Sequence, residues 1–201
     1  MFEEVSKALL PGDRILVEYP PEVRIEDMIW GSLMPFLTSR GSVAVVDFHG
    51  IGDIMFRNYL RHHSDMRYKE LMRIRERTKV FKIGAGAAGY GEVVMESKLS
   101  KDIDEFMRTY YKIVQGMKTL PLKPVAVIVF GLAEQIYLRG PSYLLSLLSA
   151  LATVPIEDWP SVYFINQDLL DKKEMAFLED LVSWVFQVGE EGTRKVKGLD
   201  L

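Results

Sequence analysis

Five short runs dense in valine and isoleucine constrain this chain more than any other feature. They are RILVEY (14–19), SVAVVDF (42–48), KVFKIG (79–84), PVAVIVFG (124–131) and SVYFIN (161–166). Their apolar residues are continuous rather than alternating, which is the pattern of strands covered on both faces. PVAVIVFG is the most apolar and is expected at the centre of the sheet. Stretches of helical period separate the runs. Ile25, Met28, Ile29, Leu33, Phe36 and Leu37 mark one, with Pro35 predicting a kink or an end at Met34. Ile103, Phe106, Met107, Tyr110, Ile113, Val114 and Met117 mark the clearest, with Ser100 as the expected N-cap. Met175, Leu178, Leu181, Val182 and Val185 mark a third, and Asp171 and Glu174 stand at capping-box spacing before it. Strand–helix alternation predicts an α/β fold with a mostly parallel, twisted sheet flanked by helices. The tail SWVFQVGEEGTRKVKGLDL reads as strand, glycine turn, strand, and predicts an antiparallel C-terminal hairpin at one sheet edge.

A length of 201 residues suits a single domain spanning 1–201. With no cysteine, a disulfide framework, a thiolate nucleophile and a cysteine zinc site are excluded. That composition fits a reducing cytoplasm and is common in thermophiles, and cytoplasmic residence is the expectation. A net charge of −3 argues against a wholly basic nucleic-acid binder. The opening MFEEVSKALLPG carries two acids and no apolar run, unlike a secretory leader. YLLSLLSALATV (143–154) falls short of the roughly 20 residues a bilayer requires, so it is expected to be a buried helix and no membrane contact is expected.

Two places invite a nucleotide. Gly84, Gly86 and Gly89 have the G-x-G-x-x-G spacing of a dinucleotide loop. Such a loop must open directly into a helix whose free N–H groups hold the pyrophosphate. Here YGEVVMESKL follows, with β-branched Val93 and Val94, so a small-residue loop and a short extra strand are expected instead. The other place is the end of the first strand, where a P-loop carries G-x-x-x-x-G-K-[ST]. On that motif Glu22 and Arg24 fall at flexible glycine places, Ile25 at the lysine and Glu26 at the metal-binding hydroxyl. Pro20 and Pro21 each remove a backbone donor. One like-charge pair about 4 Å apart costs roughly 4 kcal/mol at an effective dielectric of 20, so carboxylates here oppose a triphosphate. The strand that would end in a magnesium-supporting acid ends in Gly131.

On LLPGDRILVEY, VAVIVFG and the terminal WVFQVGEEGTRKVKGL, the chain resembles the RecA/KaiC-like ATPase fold of archaea over nearly its whole length. More closely, it resembles a small uncharacterised archaeal family of degenerate RecA-like proteins. The resemblance implies a three-layer RecA-like domain lacking intact Walker motifs, ancestry in an ATPase and a tendency to self-associate, a homodimer being the expectation. It carries over no catalytic, cofactor-binding or metal-ligating residue, and no cofactor. Relatives of this kind assemble by adding a strand to a neighbour's sheet, which implies a protein or peptide partner at an edge strand.

Two other groups of residues stand out. Glu18, Tyr19, Asp47, His49, Glu134, Gln135, Asn166 and Gln167 fall at strand ends, where open α/β sheets place ligand crevices. Asp47 and His49 supply ligand types for a metal-assisted hydrolase, an alternative to a regulatory or scaffold module. Arg67, Lys69, Arg73, Arg75, Arg77 and Lys79 form the basic patch of RYKELMRIRERTK. A nucleic-acid accessory role is the second alternative, set against a solvated helix laced by Glu70 and Glu76.

Overall fold

A computed structural model describes residues 2–63, 68–100, 102–140, 142–153 and 158–198. Its elements run α1 (Phe2–Lys7), β1 (Arg14–Tyr19), α2 (Ile25–Met28), a π-helical turn (Ile29–Leu33), α3 (Met34–Arg40), β2 (Ser42–Phe48), α4 (Ile51–His62) and α5 (Tyr68–Arg77). β3 (Thr78–Ile83), β4 (Glu92–Ser97), α6 (Ile103–Lys118), β5 (Pro124–Phe130), α7 (Leu132–Arg139) and α8 (Ser142–Thr153) follow. β6 (Ser161–Asn166), a 3-10 turn (Gln167–Leu169), α9 (Lys172–Asp180), β7 (Trp184–Gly189) and β8 (Gly192–Lys197) complete the described chain.

The strands form one sheet in the order β4-β3-β2-β5-β6-β1-β7-β8. Every pairing is parallel except β7 with β8, the C-terminal hairpin at one edge. Side chains alternate faces along each strand. Ile15, Val17, Val43, Val45 and Ile128 enter a core with Trp30, Leu33, Phe56 and Tyr90. Leu16, Ala44, Val46, Phe48 and Val129 enter a second core with Phe106, Ile113, Leu132, Leu147 and Leu178. Both faces are therefore covered, which is why the strands read as unbroken apolar runs and why the fold has three layers.

Several boundaries differ from the sequence reading for local reasons. The third and fourth runs stop one residue early, at Ile83 and Phe130, because Gly84 and Gly131 adopt left-handed φ values of 87° and 77°. Pro35 neither ends nor breaks its helix. It sits in the first turn of α3, directly after the π-helical turn, whose wider hydrogen-bond register accommodates the ring. The N-cap of α6 is Asp102 rather than Ser100. Asp102 accepts from the Asp104 N–H at 2.8 Å, while the Ser100 hydroxyl accepts from Asp102 N–H at 3.0 Å. A carboxylate there also meets the positive end of the helix dipole. The Asp171–Glu174 capping box forms at α9 as the spacing predicts. Helix α8 is not buried all round: Tyr143, Leu144 and Leu147 face the core, but Leu145 and Leu148 are exposed. Val154 lies outside the described residues. No helix among the described residues is long and apolar enough to cross a membrane.

Candidate functional site

The carboxyl ends of β2 and β5 are neighbours and that of β1 lies one strand further on, beyond β6; each of the three leads into a helix. At β1 the exit is a tight turn. Val23 N–H donates to Pro20 O at 3.1 Å, Ile25 N–H to Val23 O at 2.9 Å and Asp27 N–H to Arg24 O at 3.2 Å. Amides of this turn are thus spent on the turn itself. Arg24 is the N-cap of α2 without a side-chain cap bond, and its guanidinium reaches Asp27 at 3.4 Å.

Tyr19, the last residue of β1, is buried, and its hydroxyl has no hydrogen-bond partner among the described residues. Burial raises its pKa first; the carboxylates of Glu134 and Glu26 raise it further. Glu134 stands in the first turn of α7 and forms no ion pair among the described residues. Burial holds its pKa up, partly offset by its own backbone N–H and by His49. Glu26 accepts a 3.5 Å bond from Asn58 Nδ2. His49 follows β2 with a left-handed φ of 60°, and its Nε2 lies 3.0 Å from Gln135 Oε1, the contact an Nε2–H tautomer makes. His49 and Gln135 are in contact, Glu134 is the chain neighbour of Gln135, and Tyr19 feels the charges of Glu134 and of Glu26, a residue the strand-end reading did not include. Its position in the first turn after β1 was the available signal.

The other strand-end residues turn elsewhere. Asp47 is fully buried beneath α4, where its carboxylate accepts from Gly52 N–H at 3.1 Å and from the Tyr90 hydroxyl at 2.8 Å. Burial pushes its pKa up to about 6 against those two donors, with Asp53 adding to the rise. Asp53 is held in turn by Gly89 N–H at 2.6 Å and Arg57 Nε at 2.9 Å. Glu18 precedes Tyr19 and so faces the opposite side of the sheet, where it accepts from Gln187 Nε2 at 3.0 Å. Its pKa is raised, by burial first and by Glu179 in addition. Asn166 caps the 3-10 turn by accepting from Asp168 N–H at 3.1 Å, and Gln167 begins that turn. Among the described residues no group of three His, Cys, Asp or Glu side chains is placed to hold a metal ion.

The glycine stretch serves packing. β3 and β4 are parallel neighbours joined only by residues 84–91, less than the roughly dozen residues of an ordinary crossover. The segment runs back across the β2–α4 junction. A Cβ on Gly86 would stand 2.6 Å from His49 O and 2.8 Å from Gly50 Cα, so two backbones touch there. Lys82 Nζ holds the crossing by donating to Gly86 O at 2.8 Å.

Most of the basic segment is engaged. Arg73 reaches Glu70 and Pro35 O, Arg77 donates to Thr38 O at 2.9 Å, and Lys79 pairs with Glu92. Lys69 and Arg75 are exposed, and Arg67 lies outside the described residues.

Known proteins place this geometry in context. The protein of Project ID PH0250 from Pyrococcus horikoshii OT3 superposes with a TM-score of 0.75 at 20% identity, over 99% of this chain and 93% of that one. Protein PH0321 of P. horikoshii, crystallised in complex with an unknown peptide, superposes at 0.61 and 14% identity over 98% and 89%. The KaiC-like protein PH0186 of P. horikoshii OT3 superposes at 0.58 and 12% identity over 94% and 81%. At these identities the likeness is one of fold, and the fold is RecA/KaiC-like. No curated protein matches the sequence. The family described as "Pyrococcus protein of unknown function, DUF257" matches residues 4–199, and the chain belongs to that DUF257 family.

Proposed function

We propose that this protein is a RecA/KaiC-like regulatory or scaffold module that acts through a protein or peptide partner and through self-association, without hydrolysing ATP. The observation that carries this reading is the β1 exit. Where a phosphate cradle needs free amides and a lysine, the turn after Tyr19 spends the Val23, Ile25 and Asp27 amides internally. It carries Glu22 and Glu26, and Pro20 and Pro21 contribute no donor. A peptide partner is favoured by the relative PH0321, which was crystallised with an unknown peptide. The sheet has two edges for strand addition. Arg194, Lys195 and Lys197 blunt β8 around its exposed Val196, whereas β4 exposes two adjacent valines, Val93 and Val94. These features favour β4 as the edge that takes the peptide.

Isothermal titration with Mg-ATP and a phosphate-release assay test the nucleotide half of the proposal. Neither heat nor turnover is expected at millimolar ATP, and micromolar binding with turnover would overturn it. Amide shifts confined to β4 on adding short β-forming peptides test the other half.

A further inference from the structure

We propose that the crevice between the start of α6 and the α7–α8 turn receives a carboxylate borne beside an apolar side chain, either the C-terminal residue of the peptide partner or a free small acid of the same chemistry. The first source rests on the peptide reading above and assigns that partner a second contact.

The crevice has a volume of about 510 Å³. Ser100 and Asp102 reach it from the approach to α6, Arg139 from the last turn of α7, and Ser142, Tyr143 and Ser146 from the first turns of α8. Phe106 and Leu138 give it apolar sides. Tyr143 is 7% exposed, and among the described residues no hydrogen bond of ordinary geometry closes on its buried hydroxyl. Burial raises the pKa of that phenol, offset in part by the Arg139 guanidinium and by Gln135, whose side chain is engaged with His49 at 3.0 Å. Arg139 is half-buried and forms no ion pair among the described residues. A buried donor without an acceptor and a cation without a counter-ion thus line one cavity.

A guanidinium donates paired N–H bonds to a carboxylate, and such charge-assisted bonds are the stronger kind. Ser100 Oγ accepts from the Asp102 N–H at 3.0 Å and so keeps its own O–H to donate. The starts of α6 and α8, helices of 16 and 12 residues, add the positive ends of two helix dipoles. Asp102 is the acid among the described residues of the wall, and its Oδ1 accepts from the Asp104 N–H at 2.8 Å. Its other oxygen suits an N–H donor, which a peptide supplies next to its terminal carboxylate. One cation against one acid fits a single negative charge beside a donor and opposes a phosphate dianion. Phe106, which packs edge-on to Tyr143 at 4.9 Å, and Leu138 meet the apolar side chain. The crevice is also continuous with the edge that takes the peptide. β4 ends at Ser97, just before Ser100, so a strand added to β4 in the parallel sense of the sheet carries its C-terminus toward this wall.

The test uses the intact protein and N-acetylleucine, with N-acetylleucinamide and inorganic phosphate as controls. Backbone amide shifts at Ser100, Arg139 and Ser146 are followed. Saturating shifts are expected with N-acetylleucine, and less than about a tenth of that response with the amide or with phosphate, since a hydrogen bond to a charged group is the larger contribution. Arg139→Gln should weaken binding at least about tenfold and Tyr143→Phe about threefold, each without lowering the melting temperature. Equal shifts with the amide, saturation by phosphate, unaltered binding in Arg139→Gln, or no saturating shift with N-acetylleucine would each overturn the proposal. A β-forming peptide ending in leucine, its C-terminus free or amidated, then separates the two sources. Tighter binding of the free acid, with shifts at both β4 and the crevice, assigns the carboxylate to the peptide partner. Binding at β4 that ignores amidation leaves the peptide reading intact and removes the peptide as the source. N-acetylleucine binding without any peptide response removes the peptide reading and leaves the crevice to a free acid.

Discussion

The Tyr90 hydroxyl donates to Asp47 Oδ2 at 2.8 Å, joining the glycine segment to the end of a central strand 43 residues away in sequence. Both residues are fully buried, and the Tyr90 ring packs 4.9 Å from Trp30 and 6.1 Å from Phe56. Because Asp47 also accepts from Gly52 N–H, its carboxylate ties the return path of residues 84–91 to the helix that begins after β2.

Removing that hydroxyl should cost stability without disturbing packing. Tyr90→Phe keeps the ring and leaves a buried carboxylate oxygen without its donor, a loss of about 1–3 kcal/mol. Urea unfolding at neutral pH measures it. An unchanged midpoint would show that the bond contributes nothing net.

Asp47 should make the fold less stable as pH rises. Burial pushes its folded pKa up to about 6, above the ordinary value of 3.8. A raised pKa contributes stability that is complete below the unfolded value and lost as pH climbs through the folded one. Over that window the loss is about 3 kcal/mol, at about 1.36 kcal/mol per unit. Buried Glu18 and half-buried Glu134 are shifted in the same direction, so the contribution of Asp47 is read as a difference. Asp47→Asn retains an acceptor for Gly52 N–H and cannot ionise. Its stability curve between about pH 4 and pH 6 should be flatter than that of the parent.

Gly86 should tolerate no side chain. Its φ of 110° and the 2.6 Å approach of a Cβ to His49 O strain any substitution. Gly86→Ala is expected to cost at least about 1–3 kcal/mol, from the backbone conformation alone. Gly89→Ala, at an ordinary φ and 3.2 Å from Asp53 Oδ1, should cost less. Thermal melts of the pair compare them directly.

The β4 edge should matter for association rather than folding. Val93 and Val94 are 42% and 38% exposed. Val93→Lys with Val94→Lys should change stability by no more than about 0.5 kcal/mol, yet abolish peptide-induced shifts on β4 and reduce self-association seen by sedimentation. Unaltered association would move the contact to another surface.

The strand-end group was half legible in advance. Tyr19, His49, Glu134 and Gln135 were visible because strands in parallel α/β sheets end on one side. Glu18 and Asp47 sit in equally suggestive places, but Glu18 faces the opposite side of the sheet from Tyr19, and Asp47 is covered by Gly52 of α4 and by Tyr90. The basic run around Arg73–Lys79 reads as a patch in one dimension. In three, Arg77 caps the Thr38 carbonyl and Lys79 meets Glu92 on the next strand.

Local chemistry written in the chain determined the α/β class, the terminal hairpin, the capping box at Asp171 and Glu174, and the prolines and acids of the turn after Tyr19. These depend on neighbours within a few residues: apolar runs, capping spacing, prolines and acids in one turn. Tertiary structure alone decided that Gly86 would touch Gly50, that Tyr90 would find Asp47, and that His49 would meet Gln135. Those contacts join residues far apart in sequence, and their partners are chosen by strand order and layer packing, which no local pattern encodes.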